Sequence, residues 1–299
     1  MTVLVTGATG NVGSHVVRAL RGRGVPVRAF VRDPAQAPGG VEVAVGDFED
    51  AGSIRAAMAG VGRVFLSSGD GPRKAEHEAA VIDAAAAAGA RLIVKASTIG
   101  AEAGSPLKPF DWNGRAEEHL RRSGVPWAIL QSCFYMTNLM AAAEPVRAGT
   151  LPAPAGSGRI AMIDPRDVAA VAATLLSTDA RAERTYRLTG PEAIGYERVA
   201  EELARATGAD VRYVDMPPDV AHAGLVAAGM PDWLVAHLDG VFGLIRAGAL
   251  EETTDTVQTV TGREPRGFAE FARDHARVFS ASAASAANIN SPSAAAART

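Results

Sequence analysis

Short apolar, β-branched runs alternate with longer alanine-rich amphipathic stretches through the first half of the chain. The runs Val3–Thr6, Val25–Val31, Val41–Val45, Arg63–Ser67, Arg91–Ala96 and Trp127–Gln131 are of strand length. The intervening stretches, at about Val12–Arg23, Ile54–Ala59, Lys74–Ala88 and Asp111–Ser123, place apolar residues three and four positions apart, as a helix packed on one side requires. Gly24, Gly60, Gly89 and Gly124 each stand after a helix and before a strand, where a left-handed cap ends the helix. Strand and helix alternating in this way predict an α/β fold with a doubly wound parallel sheet.

Beyond residue 135 the alternation loosens. The pattern predicts a helix over Met136–Arg147, a Gly/Pro-rich loop over Gly149–Gly158 and a helix over Arg166–Ser177. A strand over Arg184–Thr189, a helix over Tyr196–Thr207, a short strand over Val211–Val214 and a helical stretch interrupted by Pro217, Pro218 and Pro231 follow. The expected organisation is a nucleotide-binding core over 1–134 and a mixed portion over 135–280 that carries a smaller substrate lobe. The Ala/Ser-rich segment 281–299 has almost nothing to bury and is expected to be a disordered tail.

The chain has 299 residues, 30 Lys+Arg against 33 Asp+Glu, and a net charge of −3. That balance argues against nucleic acid as a partner, since phosphate neutralisation needs a basic surplus. The lone Cys133 excludes an internal disulfide framework and a multi-cysteine metal site, and no metal is expected. No apolar run is long enough for a membrane span, and the N-terminus has no basic segment ahead of its short apolar run, so a cytoplasmic location is the default expectation.

The strongest chemical signal is Thr6-Gly7-Ala8-Thr9-Gly10-Asn11-Val12-Gly13, between an apolar strand and an amphipathic helix. Gly7 suits a tight turn, Gly10 close approach of the backbone to a pyrophosphate, and Gly13 packing of helix on strand, while the first helical N–H groups face the phosphates. Thr9, Asn11 and Val12 share that loop. At the end of the second strand, Arg32 is placed to accept the 2′-phosphate of NADP, which favours NADPH over NAD; the alternative has Arg32 solvated and Asp33 on the ribose. Asp47 and Phe48 follow the third strand, where an adenine would lie. Ser67 and Ser68 end the fourth beside the nicotinamide ribose, and Lys95 and Ser97 end the fifth.

The reaction chemistry is constrained by the three lysines, Lys74, Lys95 and Lys108. Residues Asp70, Arg91 and Gly104 stand four positions before them, so the Tyr-x-x-x-Lys pair of ordinary short-chain dehydrogenases is absent. The chain resembles the NmrA-like branch of atypical short-chain dehydrogenases, which includes quinone, azo-dye and triphenylmethane reductases. The resemblance rests on Gly7–Gly13, Val31-Arg32-Asp33-Pro34, Gly46-Asp47-Phe48, Lys95-Ala96-Ser97, Phe134-Tyr135-Met136-Thr137-Asn138-Leu139, Asp164-Pro165-Arg166-Asp167 and Thr261-Gly262-Arg263-Glu264-Pro265.

The resemblance implies a Rossmann fold of the short-chain dehydrogenase type and NAD(P) binding. The family often carries His-Gly-x-x-Glu on the helix after the fifth strand; here Asn113 and Glu117 stand at the places of the Tyr and Lys. Gln131, Ser132 and Cys133 replace a usual Arg-Pro-Gly corner beside the nicotinamide, Cys133 counting as a cofactor contact. Losing the proton donor narrows the acceptor. A plain ketone becomes an alkoxide that needs a proton, whereas a quinone becomes a phenolate whose conjugate acid has a pKa of roughly 10. The expectation is NADPH-dependent hydride transfer to a quinone, extended enone or aromatic acceptor, such as an aromatic polyketide. Ser97 and Asn113 are expected at the carbonyl, and Phe134, Tyr135 and Met136 around an apolar slot. Each has a plainer alternative: Ser97 capping a strand end, Asn113 satisfying the helix start, the apolar three lying in the core, and Lys95 paired with a buried carboxylate. A non-catalytic NAD(P) sensor that binds a protein partner is the competing function, and a homodimer is left open.

Overall fold

The computed structural model describes residues 1–178 and 182–280. The tail expected over 281–299 lies outside the described residues. In chain order the first half comprises β1 (Thr2–Val5), α1 (Gly13–Gly22), β2 (Val27–Val31), β3 (Glu42–Val45), α2 (Ala51–Ala57), β4 (Val61–Leu66), α3 (Lys74–Ala87), β5 (Leu92–Thr98), α4 (Lys108–Arg122) and β6 (Trp127–Ser132). The second half comprises α5 (Ala143–Arg147), β7 (Thr150–Ala153), β8 (Arg159–Ile160), α6 (Pro165–Ser177), β9 (Arg184–Leu188), β10 (Ile194–Gly195), α7 (Tyr196–Thr207), β11 (Arg212–Asp215), α8 (Pro218–Ala227) and α9 (Asp232–Arg246). Three short helices follow: α10 (Thr256–Thr261), α11 (Phe268–Asp274) and α12 (Ala276–Phe279).

Seven strands form one parallel sheet in the order β3-β2-β1-β4-β5-β6-β9. Sequence order reverses between β1 and β4, so the loops leaving their carboxyl ends diverge and open a crevice, the usual ligand position in such sheets. One face of the sheet packs on α1 and α6 through Val16, Leu20, Val168 and Ala172. The other packs on α2, α3 and α4 through Ile54, Ile82 and Leu120. Gly24, Gly60, Gly89 and Gly124 all have left-handed backbone after their helices, as the spacing predicts.

Two elements of the second half complete this layered core: α6 lies against α1, and β9 pairs with β6 as the sheet's last strand. The helix predicted over Met136–Arg147 is instead a 3-10 segment, Met136–Ala142, followed by α5. Pro145 has no N–H for the carbonyl four residues back, so one continuous α ladder cannot form. The predicted loop Gly149–Gly158 contains β7, which pairs with β11 and turns Leu151 and Ala153 inward. A separate apolar cluster, including Met136, Tyr196, Val241 and Phe268, holds the C-terminal elements together over the sheet's carboxyl edge.

Candidate functional site

The carboxyl ends of β1, β4, β5 and β6 surround a cleft of about 420 Å³. Its floor begins at the glycine loop. Gly7 has φ +59°, and a Cβ there would lie 2.9 Å from the Ser67 carbonyl oxygen. A Cβ on Gly13 would lie 2.1 Å from the Gly7 carbonyl oxygen, well inside contact distance. Thr6 locks the crevice from below: its Oγ1 donates to Ser67 O at 2.8 Å and accepts from Ser67 N at 2.9 Å. Asn11 Nδ2 donates to Thr137 Oγ1 at 2.9 Å, tying the loop to the segment after β6.

No side chain caps the start of α1, and no acidic residue occupies its first turn. The N–H groups of Asn11, Val12 and Gly13 have no acceptor among the described residues, and beside Gly7 and Gly13, which leave no room for a Cβ, they fit a pyrophosphate. A neighbouring hollow is formed by Thr9, Val31, Arg32, Asp33 and Gln36. Within it Asp33 accepts from Ala35 N at 2.9 Å and from Gln36 Nε2 at 3.2 Å, which caps the 3-10 turn Pro34–Gln36. Arg32 is exposed and has no ion pair or hydrogen bond among the described residues.

At the other end of the cleft, Asn113 on α4 accepts from Lys95 Nζ at 2.9 Å and donates to Pro109 O at 2.9 Å. One amide hydrogen and one carbonyl lone pair remain for a ligand. Ser97 lines the cleft, but its hydroxyl donates to Glu117. A hydroxyl has one hydrogen, so the expectation that Ser97 donates to an acceptor carbonyl is corrected; it can only accept there. Glu117 also accepts from Gln131 Nε2 at 3.0 and 3.2 Å and from Arg121 Nη2 at 2.8 Å.

Lys95, expected to touch the cofactor, is fully enclosed and absent from the cleft lining. Its Nζ donates to Asn113 Oδ1 and to Ala96 O and forms an ion pair with Glu78 Oε2, each at 2.9 Å. Lys74, at the start of α3, does line the cleft. Its Nζ donates to Ser68 O at 3.0 Å and pairs with Glu78 at 3.1 Å and Asp70 at 3.4 Å. Burial alone would raise the Glu78 carboxyl, yet the two lysines overcome it and hold the group at about 2. Burial lowers Lys95, whereas Glu78 and Asp70 overcome burial at Lys74 and raise it. Two ammonium groups thus share one buried carboxylate beneath the reacting end of the cleft.

Gly7, Gly10, Asn11, Val12, Gly13, Ser67, Ser68 and Cys133 come together in the cleft wall, and Thr9 and Arg32 in the neighbouring hollow. Burial pushes the Cys133 thiol up to about 11, so it is a neutral contact. Asp47 and Phe48 line neither space. Asp47 Oδ1 accepts from Glu49 N at 2.9 Å within its own turn, and Phe48 packs against Phe30 and stacks on His77. Phe134 and Tyr135 face the cleft, Tyr135 with its phenol raised by burial; Met136 does not, being only 1% exposed in the core of the C-terminal elements. Lining residues not singled out from the sequence include Lys74, whose i,i+4 spacing to Asp70 and Glu78 was a usable signal, Phe110 on α4, and His237 and Val241 on α9, which belong to no motif. Among the described residues no cluster of potential metal ligands occurs, and no helix is long and apolar enough to cross a membrane.

The profile of the NmrA-like family matches residues 1–272. The chain belongs to the NmrA-like family. It is 37% identical to the NAD(P)H azoreductase of Xenophilus azovorans over 284 residues, covering 93% of this chain and 99% of that one. The structure of an NADPH-dependent quinone oxidoreductase from Escherichia coli, complexed with NADPH, superposes with a TM-score of 0.82 at 31% identity, covering 91% and 99% of the two chains. The triphenylmethane reductase of Citrobacter sp. superposes with a TM-score of 0.80 at 26% identity, over 93% and 100%. Every element that builds this NmrA-like cleft, from β1 through α9, falls inside the family match.

Proposed function

We propose that this chain is an NADPH-dependent reductase that delivers hydride to quinones, extended enones or other conjugated aromatic acceptors. The observation that carries the choice of NADPH is the division of labour at the end of β2: Asp33 is consumed in capping its turn, while Arg32 stays unpaired beside the hollow. The Asp33 carboxylate is thus turned into its own loop by both oxygens, while a cation for a 2′-phosphate is free. The NADPH complex of the quinone oxidoreductase and the NAD(P)H-dependent azoreductase support the same assignment.

Under this reading residues 1–134 form the dinucleotide core, and 135–280 complete the sheet and supply the acceptor's side of the cleft. NADPH, when bound, supplies the hydride. Gly7, Gly10 and Gly13 admit its pyrophosphate to the α1 amides, and Ser67 and Ser68 lie along the nicotinamide half. Asn113 offers the acceptor its remaining amide hydrogen, and Phe134, Tyr135 and Val241 shut water from the slot, which favours a flat apolar substrate. Lys95 acts behind this surface, orienting Asn113, and Ser97, in the cleft wall, orients Glu117. No Tyr-x-x-x-Lys pair is present, so the favoured products are those whose anion is a stabilised phenolate or enolate.

The test is steady-state oxidation of NADPH and NADH by purified protein with a panel of quinones and cationic aromatic dyes. Turnover with NADPH preferred is the expected result. Tight dinucleotide binding without turnover on any acceptor would instead leave a non-catalytic NAD(P) sensor.

A further inference from the structure

The C-terminal elements contribute one titratable side chain to the cleft, His237 on α9, one helical turn before the buried Val241. Unlike His119, His222 and His275, it has no hydrogen-bond partner among the described residues. Unlike His77, whose Nε2 is also enclosed and unbonded but lies 3.6 Å from Glu49, it has no ion pair among them and lines the cleft. His119 and His222 sit 2.7 Å from Asp83 and Asp239, and His275 Nδ1 lies 2.9 Å from Phe271 O. His237 Nδ1 is enclosed and has no hydrogen-bond partner, and no protein group among the described residues bonds its Nε2. The ring is held edge-on to Phe110, with centroids 5.5 Å apart and planes at 81°.

This environment determines the tautomer. Burial lowers the imidazole below its ordinary value; Asp70, the one charged group whose field reaches it, opposes that only in part. The ring is therefore neutral at neutral pH. An enclosed N–H without an acceptor costs more than an enclosed bare lone pair, so Nδ1 carries the lone pair and Nε2 the hydrogen. A donor with no protein acceptor then stands in the wall of the cleft that Ser67, Ser68 and Asn113 also line.

We propose that His237 donates its Nε2–H to the acceptor oxygen that becomes negative as hydride arrives. The proposal rests on the reductase reading and extends it to the acceptor's contact from the C-terminal elements. A quinone takes a hydride from NADPH, which leaves as NADP⁺; the quinone becomes a hydroquinone monoanion, and one proton from solvent completes the hydroquinone. His237 stays neutral throughout and acts as a hydrogen-bond donor, stabilising charge in a site partly screened from water.

The experiment compares His237→Phe, which keeps an aromatic ring against Phe110, with His237→Gln, which restores an N–H. Each is titrated with NADPH, assayed with a simple benzoquinone, and, loaded with NADP⁺, titrated with p-nitrophenolate as a mimic of the anionic product. His237→Phe is expected to lower kcat/KM by about tenfold to a hundredfold, chiefly in kcat, and to weaken phenolate binding at least about tenfold, with NADPH affinity unchanged. His237→Gln should recover most of both. Wild-type kcat/KM and phenolate affinity in the Phe variant, or equal losses in the two variants, would overturn the assignment. If the unaltered protein turns over no acceptor of the panel, the reductase reading fails by itself, and the phenolate titration still decides whether His237 holds an anionic oxygen.

Discussion

Lys95 Nζ donates to Asn113 Oδ1 across 2.9 Å inside the protein, joining β5 to α4 at the floor of the cleft. The bond fixes the sense of the amide, oxygen toward the ammonium and nitrogen toward Pro109 O. A lysine therefore takes part in the site without touching ligand. It sets the orientation of an uncharged group in the cleft wall, and the Glu78 carboxylate pairs with the ammonium from behind. The chemistry left to Asn113 is hydrogen bonding, which suits acceptors whose reduced anions are already stable.

Cofactor choice turns on Arg32. Arg32→Asp should weaken NADPH binding by about tenfold to a hundredfold and leave NADH within about threefold, because only the 2′-phosphate contact is lost, and a charge-assisted hydrogen bond contributes about 1.5–3 kcal/mol. Fluorescence titration with both dinucleotides measures it. Equal weakening of the two would remove Arg32 from the 2′-phosphate.

Ser97 gives the opposite kind of expectation. Its hydrogen already belongs to Glu117, and Gln131 and Arg121 hold that carboxylate independently. Ser97→Ala should lower kcat/KM by less than about threefold while costing about 1 kcal/mol of stability in urea unfolding. A hundredfold loss of turnover at unchanged stability would return Ser97 to the acceptor.

The difference between these two residues shows what the chain reveals before it is folded. Strand–helix alternation and the glycine punctuation are local, set by side-chain periodicity and backbone freedom, so six strands, four helices and the tight turn at Gly7 were legible. The competition between Arg32 and Asp33 was legible too, since capping involves neighbours. The partners of Ser97 and Lys95 were not: Glu117 is twenty residues from Ser97 and Asn113 eighteen from Lys95, and nothing local tells a cleft-facing strand end from one that faces a helix. His237 was hidden for the same reason, because its place depends on how α9 packs over the sheet.

Gly13 tests the phosphate cradle directly. A Cβ at this position would stand 2.1 Å from the Gly7 carbonyl oxygen, backbone against side chain, with no flexible atom to yield. Gly13→Ala should push α1 away from the loop and weaken NADPH binding by about tenfold to a hundredfold, the cost of strained packing being about 1–3 kcal/mol. Calorimetric titration measures the loss, and circular dichroism checks that the sheet remains. Near-normal affinity would mean that the α1 amides do not carry the pyrophosphate.

Glu78 has no exposed surface and faces two lysines. Its carboxyl is held at about 2, below the ordinary value of 4.5 that the unfolded chain would show. A depressed carboxyl stabilises the fold fully above the unfolded value and loses that contribution as pH falls from about 4.5 toward about 2. The difference corresponds to about 3 kcal/mol. Urea midpoints should therefore drop steeply over that window in the unaltered protein. Glu78→Gln removes the carboxylate but leaves Lys74 and Lys95 enclosed, so it should cost about 3–5 kcal/mol at neutral pH and flatten the acid dependence. Pairing it with Lys95→Met removes one stranded charge and should recover part of the loss. A Gln variant as stable as the parent at neutral pH, with the same acid profile, would show that the buried carboxylate is not what balances the two ammonium groups.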